Sequence, residues 1–193
     1  MSLSHHIKNT PLKQAAEEEG FLFYDYETFS LDTKKGKAAQ FAAIRTDKDL
    51  NIIRPPLSIY CQPTADSLPS PIAVNITHIT PNEAASKGVT EREFIQQINQ
   101  EMSASSTCTL GYNSIKFDDE MTRHLLYRNF MPAYDREWKN DCSRWDIINL
   151  ARAYQVLRPE NIQWPTNKTT GKVSLKLEDL TKANNIAHEN AHD

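Results

Sequence analysis

Four carboxylates and one imidazole carry the chemistry this sequence could do. Asp25 and Glu27 follow the run Phe21-Leu22-Phe23-Tyr24 at a spacing of i, i+2; Asp118 follows Phe117; His188 and Asp193 lie at the end of the chain. Oxygen donors in that number, without a thiolate or imidazole cluster, suit hard divalent cations. Two such ions roughly 3.5–4 Å apart can activate a water and stabilise the leaving oxygen in phosphodiester cleavage. A neutral histidine, with an unperturbed pKa of about 6.5, is suited to take the water's proton. Spacing alone says little, since about three D/E-x-D/E pairs and a third of an H-x₄-D are expected by chance in such a chain. Placement says more. Asp25 and Glu27 end an apolar run that reads as a strand buried on both faces, and alternation puts both carboxylates on one side of it.

The elements that must position these groups can be read in order. Residues 1–20 are polar and read as a lead-in, disordered or partly tag-derived. After the first strand, a second is predicted at 38–46 and a third around 50–62, which Pro55-Pro56 confines to an edge or splits. Three strands so close together form a meander, so the sheet begins antiparallel. Residues 63–79 read as a Pro/Ser-rich connection. Thr80-Pro81-Asn82-Glu83 and Thr90-Glu91-Arg92-Glu93 sign two helix starts, the second with Phe94, Ile95, Ile98 and Met102 facing the core. A fourth short strand falls at 107–112. Asp118 opens a helix with Met121, Leu125, Leu126 and Phe130 inward, and Asp119 and Glu120 read as ordinary helix-dipole partners. Trp145 and Tyr154 are expected in the core of a helix capped by Ser143. Ser174 is expected to cap a last helix, with Leu175, Leu177, Leu180 and Ala183 inward and Asn184-Asn185 as its stop.

Composition sets the class. The chain has 193 residues, 39% apolar and 24% charged, with a net charge of −3, as expected of one globular domain with no global attraction to nucleic acid. Binding to a polyanion would need a local patch. Residues 121–158 supply one, with seven Arg/Lys against four acids and Tyr127, Tyr134, Trp138, Trp145 and Tyr154 interleaved. That mixture suits single-stranded nucleic acid, through phosphate contacts and base stacking. Cys61, Cys108 and Cys142 are odd in number and far apart, which points to reduced thiols and a cytoplasmic location. No apolar run approaches the roughly 18 residues of a membrane span.

The order D-x-E, a middle Asp after Tyr112-Asn113, and H-x₄-D resembles the DEDDh 3′–5′ exonucleases of the ribonuclease H-like superfamily. The likeness extends over six blocks: 23–29, 39–47, 111–113 with 117–120, 127–130, 143–146 and 180–184. Together they are similar to the bacterial exonuclease I family across residues 21–193. The resemblance implies an α/β fold, a mixed five-stranded sheet with helices on both faces. Its fifth strand would then lie in 158–173. It also implies two Mg²⁺ per site, replaceable by Mn²⁺, with Asp25, Glu27, Asp118 and Asp193 as ligands and His188 as general base. Glu27 would also meet the terminal 3′-hydroxyl, with Thr28 beside it at the substrate. The family's activity is release of 5′-mononucleotides from the 3′ end of single-stranded DNA. Arg123, Tyr134, Trp138 and Arg152 are the candidate DNA contacts, and a monomer is expected.

In that family an SH3-like and a helical domain follow the nuclease domain, and single-strand DNA-binding protein is a partner expected through that later part. This chain stops at Asp193, so a shortened protein with reduced activity is expected. Two other readings stay open: a single-strand-binding remnant without catalysis, and a DEDDh enzyme acting on RNA ends.

Overall fold

The computed structural model describes residues 19–187; the lead-in before residue 19, His188 and Asp193 lie outside them. Within the described residues five strands form one sheet: β1 (Gly20–Thr28), β2 (Ala38–Asp47), β3 (Leu57–Tyr60), β4 (Thr107–Gly111) and β5 (Ser143–Asp146). Their order is β3-β2-β1-β4-β5. The first three are the expected antiparallel meander, and β4 and β5 add in parallel to β1. The sheet is therefore mixed, and β1, which carries Asp25 and Glu27, is at its centre.

Among the described residues six α-helices accompany it: α1 (Pro71–Thr77), α2 (Pro81–Lys87), α3 (Glu91–Met102), α4 (Asp118–Arg128), α5 (Ile147–Leu157) and α6 (Leu177–Ala183). The capping box at Thr90 and Glu93 forms as the sequence predicts, and Thr80 caps α2 by accepting the Glu83 amide. Phe94, Ile95, Ile98 and Met102 of α3 are fully buried, as are Met121, Leu125 and Leu126 of α4. They close over Leu22, Tyr24, Tyr26, Phe41 and Ala43 on one face of the sheet. At about 1.5–3 kcal/mol per large apolar side chain removed from water, this layer is the main stabilising contact of the fold.

Several expectations are corrected. β1 is buried on one face only: Leu22, Tyr24, Tyr26 and Thr28 point inward, while Asp25 is exposed and Phe21, Phe23 and Glu27 are half-buried. On that second face Phe21, Phe23, Leu110, Trp145 and the start of α5 surround a hollow of about 350 Å³. The fifth strand is Ser143–Asp146, not part of 158–173, where residues 166 and 173 make only an isolated bridge. Trp145 lies on that strand and is 54% exposed, α5 has no buried residue, and its cap is Asp146 rather than Ser143. The supposed connection 63–79 contains α1, begun by Ser70-Pro71. Phe130 lies just past the end of α4 with φ 59° and is 93% exposed, so it leaves the helix's inward face. The third strand shortens to Leu57–Tyr60 at the sheet edge, behind Pro55-Pro56. Ser174 does not cap α6, whose N-cap is Lys176; its hydroxyl reaches Asp179 instead, and Leu177 is exposed. Asn185, with φ 54°, does end that helix in the left-handed region.

Candidate active site

Asp25 sits on the open face of β1, and Glu27 follows two residues on, just before a bulge between Glu27 and Thr28 in the pairing with β2. The bulge turns the strand end, and Thr28 Oγ1 donates to the Ser30 carbonyl at 2.9 Å. Asp118 enters from a different element, as the first residue of α4, and is 6% exposed. Burial and the neighbouring charge of Asp25 push its carboxyl up to about 8, against a smaller opposing pull from its own amide and that of Tyr26. The strand and the helix thus bring two carboxylates together, one of them retaining a proton at neutral pH. A hard divalent cation would relieve that repulsion and displace that proton, so the donor chemistry fits one. Among the described residues no three of His, Cys, Asp and Glu gather in cation-holding geometry. Asp25, Glu27 and Asp118 are thus an incomplete set without the other two sequence-predicted residues, His188 and Asp193, which lie outside the description.

Behind the carboxylates lies a charged cluster that sequence reasoning missed. Asp119 is not a solvated dipole partner: it is 2% exposed, and its carboxylate is met from three directions. The Tyr24 hydroxyl donates to Oδ1 at 2.9 Å, Arg136 Nη2 to Oδ1 at 2.7 Å, and Arg144 Nη1 to Oδ2 at 2.8 Å. Those guanidinium groups hold Asp119 below the usual carboxylate range despite its burial. Glu137 joins the outer part, accepting from Arg144 Nε and from two nitrogens of Arg123. Alternation of aromatic and acidic residues in 24–27 was the available signal, since residues between outward carboxylates must point inward.

A second missed residue is Asp146. It is buried, accepts the Ile148 amide to cap α5, and also accepts the amides of Asn113 (2.8 Å) and Ile115 (3.2 Å). One carboxylate thereby fixes the turn that delivers Phe117 and Asp118.

The candidate DNA contacts are spread out. Arg123 is bound to Glu137 and Glu120 and lies over the Tyr134 ring, 5.2 Å from its centroid. Tyr134 and Trp138 are exposed, and Arg152 on α5 donates to Asn149 Oδ1 at 2.7 Å. Beside Glu27 and Thr28 is a hollow of about 400 Å³ whose walls include Leu31, Ile72, Ile76 and Phe117.

Asp25 and Asp118 thus meet near the end of the central strand of a mixed five-stranded α/β sheet. A family model described as "Exonuclease" (RNase_T) matches residues 22–193, and the chain belongs to that family. Exodeoxyribonuclease I of Buchnera aphidicola (subspecies Acyrthosiphon pisum) is 55% identical over 173 residues, which are 90% of this chain and 42% of that protein. The crystal structure of E. coli exonuclease I in complex with a dA16 oligonucleotide superposes with a TM-score of 0.87. It is 51% identical, over 91% of this chain and 37% of that one. A structure of an ExoI/SSB-Ct complex superposes equally well, with a TM-score of 0.87 at 49% identity over 90% of this chain and 38% of that one. The chain thus spans about two-fifths of the length of such relatives. These likenesses bear out the ribonuclease H-like α/β fold expected from the sequence.

Proposed function

We propose that the chain is the nuclease part of a 3′→5′ exodeoxyribonuclease that hydrolyses single-stranded DNA to 5′-mononucleotides. The convergence of Asp25 and Asp118, from β1 and α4, is the observation that carries this reading. Asp25, Glu27, Asp118 and Asp193 would hold the divalent cations, Mg²⁺ or in its place Mn²⁺. When bound, such ions lower the pKa of the attacking water and neutralise charge on the leaving oxygen. His188 takes the proton from the attacking water. Glu27 orients the terminal 3′-hydroxyl, with Thr28 beside it. The hollow next to them, walled by Leu31, Ile72, Ile76 and Phe117, offers the terminal nucleoside an apolar seat. Exposed Tyr134 and Trp138 suit stacking farther along the strand, and Arg152 suits a phosphate contact. Arg123 contributes by aligning Tyr134. The protein acts as a cytoplasmic monomer, with SSB as a partner of the whole enzyme.

The test is digestion of single-stranded DNA labelled at either end, with and without EDTA, beside Asp25→Asn. Label lost first from the 3′ end, only with cation and not in the variant, supports the reading. Loss from the 5′ end, or cleavage that survives EDTA, overturns it.

A further inference from the structure

The two residues flanking Asp25 in β1 are tyrosines, and both reach α4. Tyr24 donates to Asp119 at 2.9 Å, and the Tyr26 hydroxyl lies 3.0 Å from Thr122 Oγ1, which itself donates to the Asp118 carbonyl at 2.8 Å. The strand that bears Asp25 therefore meets the residue next to Asp118 directly, through Tyr24, and meets Thr122, whose hydroxyl holds the Asp118 carbonyl within α4, through Tyr26. No side chain caps α4, since its N-cap is Phe117. The start of the helix must be located by other means. Asp119 supplies them, with both carboxylate oxygens engaged and little freedom left to rotate.

Stability is a poor reason for this arrangement. Arg136 is 0% exposed, and its Nε and Nη1 have no hydrogen-bond partner among the described residues. A buried donor left so is destabilising, and buried ion pairs are often no better than apolar packing. What such a cluster does provide is direction, because charged hydrogen bonds of fixed geometry admit one orientation of the groups they join.

We infer that Tyr24, backed by Asp119 and Arg136, is a positioning residue that sets Asp118 against Asp25 for shared cation binding. The inference rests on the reading of Asp25 and Asp118 as cation ligands. Partners one step behind a ligand typically alter metal affinity by about 10–100-fold when removed.

Mn²⁺ binding, followed by calorimetry, tests it in four proteins: the unaltered chain, Tyr24→Phe, Asp118→Asn and Thr109→Val. The last removes another buried hydroxyl of the same sheet, whose hydrogen bond goes to the Ser143 carbonyl. The expected result is about tenfold weaker binding in Tyr24→Phe with its far-ultraviolet circular dichroism unchanged, a larger loss in Asp118→Asn, and none in Thr109→Val. Unchanged affinity in Tyr24→Phe beside a loss in Asp118→Asn would sink the positioning role and leave the cation reading standing. Equal weakening in Tyr24→Phe and Thr109→Val would also sink it, as general loosening. No effect of Asp118→Asn would remove the cation reading itself, and the inference with it.

Discussion

Asp118 is buried and faces the charge of Asp25, and burial first, then that charge, lets it keep its proton up to a pH of about 8. An acid whose folded pKa lies above its ordinary value of 3.8 is a liability that grows with pH. Below about pH 4 both folded and unfolded chains hold the proton, and the group has no effect. Between about pH 4 and pH 8 the unfolded chain releases it and the folded chain does not, so stability falls through this window and levels off above it. Asp118→Asn should therefore stabilise the metal-free protein, by several kcal/mol at pH 8 (about four pH units at roughly 1.4 kcal/mol each is the upper bound) and by nothing at pH 4. Urea unfolding at the two pH values checks it. A variant no more stable at pH 8 would contradict the burial of Asp118 beside the charge of Asp25.

Asp146→Ala removes the α5 cap and two amide acceptors of the 113–115 turn together. A loss of about 2–4 kcal/mol is expected from a cap plus charge-assisted hydrogen bonds. Hydrogen exchange should show faster opening in residues 113–118 and at the start of α5, with β1 and β2 protected as before.

Gly111 ends β4 where a methyl group would stand 2.4 Å from Ser114 Cβ and 2.8 Å from its hydroxyl oxygen. Ser114 is buried in the turn leading to α4, so it cannot swing clear. Gly111→Ala should cost about 1–3 kcal/mol, measured by thermal unfolding. It should also weaken Mn²⁺ binding by shifting Asp118.

Burial pushes the Cys61 thiol up to about 12, so almost no thiolate is present at pH 8. In a thiol titration with DTNB at that pH, Cys61 should react only after denaturant is added. Prompt modification of Cys61 in the native protein, located by mass spectrometry, would contradict the packing around it.

The parts of the fold written in local pattern were legible. β1, β2, the capping box at Thr90 and the inward stripe of α3 each follow from neighbours a few residues apart. β5 was not. It has four residues, pairs in parallel with a strand over thirty positions earlier, and leaves Trp145 half in solvent. Neither alternation nor a hairpin turn marks such a strand. The site divided in the same way. Asp25 and Glu27 announce themselves by their place at the end of an apolar run. The partnership of Tyr24 with Asp119 spans 95 positions and is made by topology. Asp119 itself looked like any acid at a helix start because the cations that bury it lie in later segments.

The alternation of β1 also has a bearing on how the chain reaches its fold. Were β1 to pair with β2 one residue out of step, Asp25 and Glu27 would turn into the layer beneath α3 and α4, and Tyr24 and Tyr26 would turn out. Burying two unpaired carboxylates there costs several kcal/mol each, so the mispaired sheet is heavily disfavoured. The acids that would hold cations in the finished protein thus also proofread its assembly. Neutralising both, as Asp25→Asn with Glu27→Gln, removes that safeguard along with the chemistry.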